Sequence, residues 1–173
     1  LNLPEQDLIT IGESDKDIED YISDFDPDVI GISSLFSNLM EHTHTIAKIA
    51  KTVNHDITVV LGGNHISNAV KDYSYAVRHP DSGLPQNIVD LEDYNIDYAM
   101  HGEVEYEFLE LVNKLARRED VSGIRGLAFT KKGNIVVNPP APSRDIIDLP
   151  LPARDLMNME KYFSIGNFHS SKS

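Results

Sequence analysis

Asp28-Val29-Ile30-Gly31-Ile32-Ser33-Ser34-Leu35-Phe36-Ser37-Asn38 is the stretch whose reading decides the fold. Residues 28–33 are β-branched and mostly uncharged without polar alternation, the pattern of a strand covered on both faces by helices in a parallel sheet. The run stops in small and hydroxyl residues just before a helical pattern, so this strand delivers a loop. In open α/β sheets, ligands lie beyond the carboxyl ends of the strands, where the next helix offers unpaired backbone N–H groups.

Upstream, Leu8 to Glu13 reads as a short strand, and Ser14 with Asp17 three residues on reads as a helix start. Ile18, Tyr21, Ile22 and Phe25 then form one apolar helical stripe, which Asp26-Pro27-Asp28 ends. Downstream, Asn38 is placed to cap a helix with Glu41, and Ile46, Ile49, Ala50 and Val53 supply its buried face. Ile57 to Leu61 is the next buried strand and closes on Gly62-Gly63-Asn64-His65. Two glycines there let a backbone or a ligand approach closely, because no Cβ stands in the way.

A helix around Asn68 to Val77 and a loop over His79 to Pro85 follow. Ile96 to Met100 is a third strand, closing on His101-Gly102-Glu103. The next helix has Phe108, Leu111, Val112 and Leu115 on one face; Glu103, Glu105 and Glu107 stand at its start and Lys114, Arg117 and Arg118 near its end, which suits the helix dipole. Gly126 to Thr130 and Asn134 to Asn138 flank Lys131-Lys132-Gly133 as a hairpin. Pro139, Pro140, Pro142, Pro150 and Pro152 then stiffen an extended segment, with a short helix at Arg154 to Phe163. The expected class is α/β, a parallel sheet with right-handed crossovers, a carboxyl-terminal hairpin and an extended linker. The expected segments are 1–125, 126–138 and 139–173.

The composition narrows the function. With 40% apolar and 25% charged residues in 173, the chain is an ordinary globular one, with no run long enough to span a bilayer and no signal-peptide pattern. A net charge of -13 disfavours nucleic acid and anionic membrane as partners. Zero cysteines exclude a disulfide, a thiolate zinc site or an iron–sulfur cluster held by these residues, and the cytoplasm is the default compartment.

The familiar catalytic patterns are missing. Gly-x-Gly-x-x-Gly and the P-loop pattern are absent, Ser33 stands where a receiver domain carries its aspartate, and it lacks the nucleophile elbow. His42 and His44, two apart, read as solvated; His65, with no second histidine at ligand spacing, reads as a turn or surface residue rather than a metal ligand. No catalytic residue and no metal ligand is expected. The loop Ser33 to Asn38 taken alone is strand termination plus a helix cap, and Gly62-Gly63 alone is a tight turn. Their matching positions one strand apart point to a ligand crevice.

Pro27 to Ser37, Val59-Val60-Leu61-Gly62-Gly63-Asn64-His65 and Asp97-Tyr98-Ala99-Met100-His101-Gly102-Glu103-Val104-Glu105 together resemble the cobalamin-binding domain at the amino end of cobalamin-dependent radical SAM enzymes. The resemblance runs on through Gly126-Leu127-Ala128-Phe129 and Asn138-Pro139-Pro140 to Leu149-Pro150-Leu151-Pro152-Ala153-Arg154-Asp155-Leu156 and Glu160-Lys161-Tyr162-Phe163, the approach to the radical SAM barrel in that family. It implies a three-layer flavodoxin-like (Rossmann-like) sheet that holds cobalamin with its dimethylbenzimidazole tail detached from cobalt and threaded into the domain. It also implies cofactor contacts from Ser33, Ser34, Leu35, Phe36, Ser37 and Asn38, from Gly62, Gly63, Asn64 and His65, and from His101, Gly102 and Glu103.

The family's cluster cysteines would lie beyond Phe163, and these residues include none. S-adenosylmethionine and the four-iron four-sulfur cluster would therefore belong to a carboxyl-terminal barrel in cis, and this chain alone should be inactive. The family also carries a strand and helix ahead of the position of Leu8. The implied parent is a methyltransferase or a cyclase of the anaerobic magnesium-protoporphyrin monomethyl ester type. Two other readings use the same fold: a ligand-free docking or oligomerisation domain, and an FMN binder whose phosphate sits on Ser33 to Asn38.

Overall fold

In the computed structural model, the order of elements follows the alternation of periods along the chain. The structure describes residues 14–37, 40–93 and 95–145, with positions 147, 149–151 and 154 beyond them. The strand expected at Leu8 to Glu13, the cap at Asn38 and the helix at Arg154 to Phe163 lie outside the described residues. The chain divides into two units, Ser14–Ser143 and a second made of Leu1–Glu13 with Arg144–Ser173. All the helices and strands named below lie in the first.

Helix α1 (Asp15–Phe25) opens on a complete capping box, in which the Ser14 side chain accepts from the Asp17 N–H and the Asp17 carboxylate accepts from the Ser14 N–H. Asp26, in the left-handed conformation, stops it, and Pro27 keeps it stopped. Strand β1 (Val29–Ser33) follows, then α2 (Met40–Val53), β2 (Thr58–Gly62), α3 (Asn64–Arg78), a 3-10 turn at Val89–Glu92, β3 (Tyr98–Met100), α4 (Glu105–Ala116), β4 (Leu127–Lys131) and β5 (Asn134–Val137). Helix α3 begins four residues ahead of the expected Asn68, directly on the second glycine.

The five strands form one sheet in the order β1-β2-β3-β4-β5. β1, β2 and β3 are parallel, with Ser33 opposite Gly62 and Leu61 opposite Ala99. The hairpin β4–β5 continues the same sheet antiparallel from β3, Met100 facing Leu127. Side-chain alternation divides the core into two layers. On one face Ile22, Ala47, Ala50, Ile66 and Val70 of α1, α2 and α3 pack on Val59, Leu61, Ala99 and Ala128. On the other, Leu111 of α4 packs on Val60, Met100, Leu127 and Phe129.

That second cover is incomplete. β1 was expected to be buried on both faces, yet Gly31 and Ser33 are exposed, and the rest of the strand is only partly buried. Helix α4 covers β2, β3 and β4; at β1, Val29 packs at the edge of this layer and the Phe108 ring lies 3.6 Å from where a Cβ on Gly31 would stand.

Candidate functional site

The carboxyl ends of β1, β2 and β3 carry three loops, and the first two are locked together. Ser34 N–H donates to the Gly62 carbonyl at 3.0 Å, and His65 N–H donates to the Ser34 carbonyl at 3.2 Å. Gly63 has φ +94°, and a Cβ there would stand 2.4 Å from the Ser34 oxygen. Only glycine fits that crossing. The Ser34 hydroxyl, fully buried, donates to the Phe36 carbonyl at 3.2 Å and tightens the turn. Leu35 and Phe36 are thereby turned outward, 58% and 64% exposed, too large an apolar surface to leave unexplained on a loop tip.

Beside this loop lies a floor of small residues. Gly31 and Ser33 share the α4 side of β1 by alternation, and Gly62, paired with Ser33, shares that side on β2 with Val60. A Cβ added at Gly62 would meet only the Met100 carbonyl, at 3.9 Å. The floor is therefore open at Ser33 and Gly62, with the Phe108 ring against Gly31 as one wall.

The third loop is tied to the second by a residue that sequence reasoning passed over. Ser67 Oγ, on the first turn of α3, donates to the Gly63 carbonyl at 3.0 Å and accepts from Gly102 N–H at 3.0 Å. Gly102 has φ +85°. Glu103 is exposed. His101 is buried and faces the end of the hairpin, its N–H donating to Gly126 O at 2.9 Å and its Nε2 to Asn138 O at 3.2 Å. Burial pushes the His101 imidazole below its ordinary value, with the Asn138 carbonyl opposing in part.

On the opposite side of the loops, polar side chains converge. Ser37 Oγ lies 2.8 Å from His65 Nδ1, and His65 Nε2 lies 3.1 Å from Asp90 Oδ2. Asp90 Oδ1 lies 3.4 Å from His44 Nε2, while His44 Nδ1 lies 2.5 Å from Asp93 Oδ2. His44 is thus not a solvated helix residue: α2 turns it onto the 3-10 turn and His42 away. The carboxylates, 46 and more positions downstream, were beyond any helical spacing rule. Desolvation would raise the Asp93 pKa, but hydrogen bonds from Asn95 and His44 outweigh it and hold the carboxyl below its ordinary value. A cavity of about 420 Å³ adjoins the group, lined by Ser37, Met40, His44, His65, Asn68 and Asp90 among others.

The sequence-predicted residues Ser33 to Ser37 and Gly62 to His65 are thus brought into one assembly, with Gly102 stitched to it and Asn64 exposed at its rim. Asn38 lies outside the described residues. No cluster of histidine and carboxylate groups with metal-holding geometry occurs among the described residues, and no described helix is long and apolar enough to cross a membrane.

Residues 5–81 match the family model of the B12 binding domain. The chain is 32% identical over 152 residues to an uncharacterized methyltransferase from Pyrococcus horikoshii, an alignment covering 87% of this chain and 29% of that protein. It is 28% identical over 163 residues to the anaerobic magnesium-protoporphyrin IX monomethyl ester cyclase of Rubrivivax gelatinosus, covering 92% of this chain and 26% of that one. The chain therefore spans less than a third of these relatives' length. Among solved structures, the radical S-adenosylmethionine methyltransferase TsrM from Kitasatospora setae, with cobalamin and a four-iron four-sulfur cluster bound, superposes with a TM-score of 0.55 at 19% identity, covering 82% of this chain and 24% of that chain. At that identity the likeness speaks for the fold, which is the expected flavodoxin-like one.

Proposed function

We propose that this chain, with its B12-binding match over residues 5–81, holds cobalamin across the carboxyl ends of β1 and β2 as one part of a larger radical SAM enzyme. The observation that carries the reading is the floor of Gly31, Ser33 and Gly62, open at Ser33 and Gly62, beside an outward-turned Leu35-Phe36 loop, inside the matched segment. A flat aromatic nucleotide tail needs such a slot: no Cβ at two of three positions, one hydroxyl to accept or donate, and apolar walls.

The residues present fit the cofactor. Gly62 lets the tail lie against backbone, Ser33 offers its hydroxyl, and Phe108, which Gly31 makes room for, and Leu35 supply apolar sides. Phe36 and the Gly102 loop flank the mouth. Gly63 has a different duty, since the space its Cβ would take already belongs to Ser34. When bound, cobalamin supplies the cobalt centre on which methyl transfer or a cyclisation draws. The protein's share would be to hold the tail at Ser33 and Gly62 between Phe108 and Leu35 and to exclude water from it. With no cysteine among the 173 residues, the cluster and S-adenosylmethionine would be held by a barrel following residues 139–173, and the parent reaction is methyl transfer or a cyclase-type ring closure.

The test is occlusion of the slot. Gly62→Val projects its side chain into the floor from a strand position that a β-branched residue tolerates. A visible-absorption titration with hydroxocobalamin should show saturable base-off binding for the wild type and at least a tenfold weaker response for Gly62→Val, on the order of 1.4 kcal/mol. Equal binding by both would place the cofactor elsewhere.

A further inference from the structure

We infer that Asp90 is a positioning residue for the cofactor loop, acting through His65 and Ser37 from the connection between α3 and β3. The inference rests on the cobalamin reading above. That connection, residues 79–97, has the look of a spacer, yet it places a carboxylate with 8% of its side chain exposed between two histidines from different helices.

Hydrogen-bond accounting fixes the order of the chain of contacts. A carboxylate oxygen only accepts, so His65 Nε2 donates to Asp90, and Nδ1 of the neutral ring then accepts from the Ser37 hydroxyl. Asp90 thus sets which nitrogen of His65 carries the proton, and that tautomer is the one able to receive Ser37. His44 braces the other Asp90 oxygen from α2 and is itself held by Asp93. Both histidine positions flank the Ser34–Ser37 loop in sequence or in space, and Leu35 and Phe36 ride on that loop.

A relay from a buried carboxylate to a serine also describes a nucleophilic triad, but here Ser37 stands at the end of a loop that is held by its backbone at Ser34 and by its side chain at His65. The arrangement clamps the loop in register with Gly62–His65. The expected consequence is selective: loss of Asp90 should loosen the loop before it loosens the sheet. Asp97, which accepts from Lys51 and Val59 N–H at the other end of β2, provides the comparison of a carboxylate that braces the sheet only.

The experiment compares Asp90→Ala, Asp90→Asn, Ser37→Ala and Asp97→Ala in the whole chain by amide hydrogen exchange and by hydroxocobalamin titration. Asp90→Ala should speed exchange at Ser34 and His65, whose amides close the loop, and weaken cobalamin about tenfold. Asp90→Asn, whose amide oxygen still accepts from His65, should recover most of both. Ser37→Ala, at an exposed position that does not threaten folding, should weaken binding severalfold with an unchanged melting temperature. Asp97→Ala should lower the melting temperature and leave affinity within twofold. In nitrogen-15 spectra the His65 ring should be the Nε2–H tautomer in the wild type and lose that preference in Asp90→Ala. Unchanged exchange at Ser34 and His65 in Asp90→Ala would overturn the inference, as would an equal affinity loss in Asp97→Ala. Should the wild type bind no cobalamin, the cofactor reading fails, and exchange with the tautomer signal decides the clamp on its own.

Discussion

Gly62 and Gly63 are adjacent and serve different ends. Gly63 sits at φ +94° with Ser34 backbone atoms 2.4 to 2.9 Å from any Cβ, so Gly63→Ala forces the two loops apart. A loss of roughly 2–4 kcal/mol is expected, read from urea denaturation. Gly62→Ala, with a single contact at 3.9 Å, should stay within about 1 kcal/mol in the same measurement. His101 sets a pH dependence. Its buried ring has a folded-state pKa below the ordinary 6.5, so the unfolded chain takes up its proton first as pH falls. Stability is therefore full above about pH 6.5 and is lost below it, down toward the folded value. Denaturation midpoints measured from pH 8 to 5 should fall on the acid side, and His101→Gln should flatten that fall.

At the scale of elements, most of the fold could be read from periodicity because each signal is local. Ser14 with Asp17, the stripe Ile18 to Phe25, and the apolar runs at β1 and β2 need only neighbours within a few residues. The Gly-rich strand ends were legible for the same reason. What escaped depended on distant partners. The half-open face of β1 follows from where α4 lies, over Val60, Met100 and Leu127, and no feature of residues 28–33 encodes that. The Asp90 hub joins residues 25 and 46 positions apart, and in sequence Asp90 is one more acid in an acidic chain; its place between Ile88 and Leu91, both buried, was the only local sign. Ser67 likewise looks like any helix serine until Gly102 is folded back onto it. At the opposite end of the sheet, Lys51 bonds the Ile57 carbonyl and Asp97, and Asp97 also accepts from Val59 N–H. Asp97→Ala leaves Lys51, with a side chain only 10% exposed, without its carboxylate and should cost about 1–3 kcal/mol in urea denaturation.

Over the whole molecule, the sheet works as a platform with two unlike sides. One layer, α1, α2 and α3, packs the larger part of the core and carries the polar hub that steadies the loops. The other, under α4, stops at the edge of β1 and leaves the small-residue floor open at Ser33 and Gly62. Rigidity on one side and vacancy on the other are what a domain needs to take up a flat, extended ligand tail without rearranging. With no cysteine among its 173 residues, the chain offers no thiolate to ligate an iron–sulfur cluster. The most direct measurement is the visible spectrum of the purified chain titrated with methylcobalamin. The account predicts a saturable shift to the base-off form that Gly62→Val weakens at least tenfold while its far-ultraviolet circular dichroism stays native. A native chain whose titration leaves the cobalamin spectrum base-on, at every concentration reached, would contradict it.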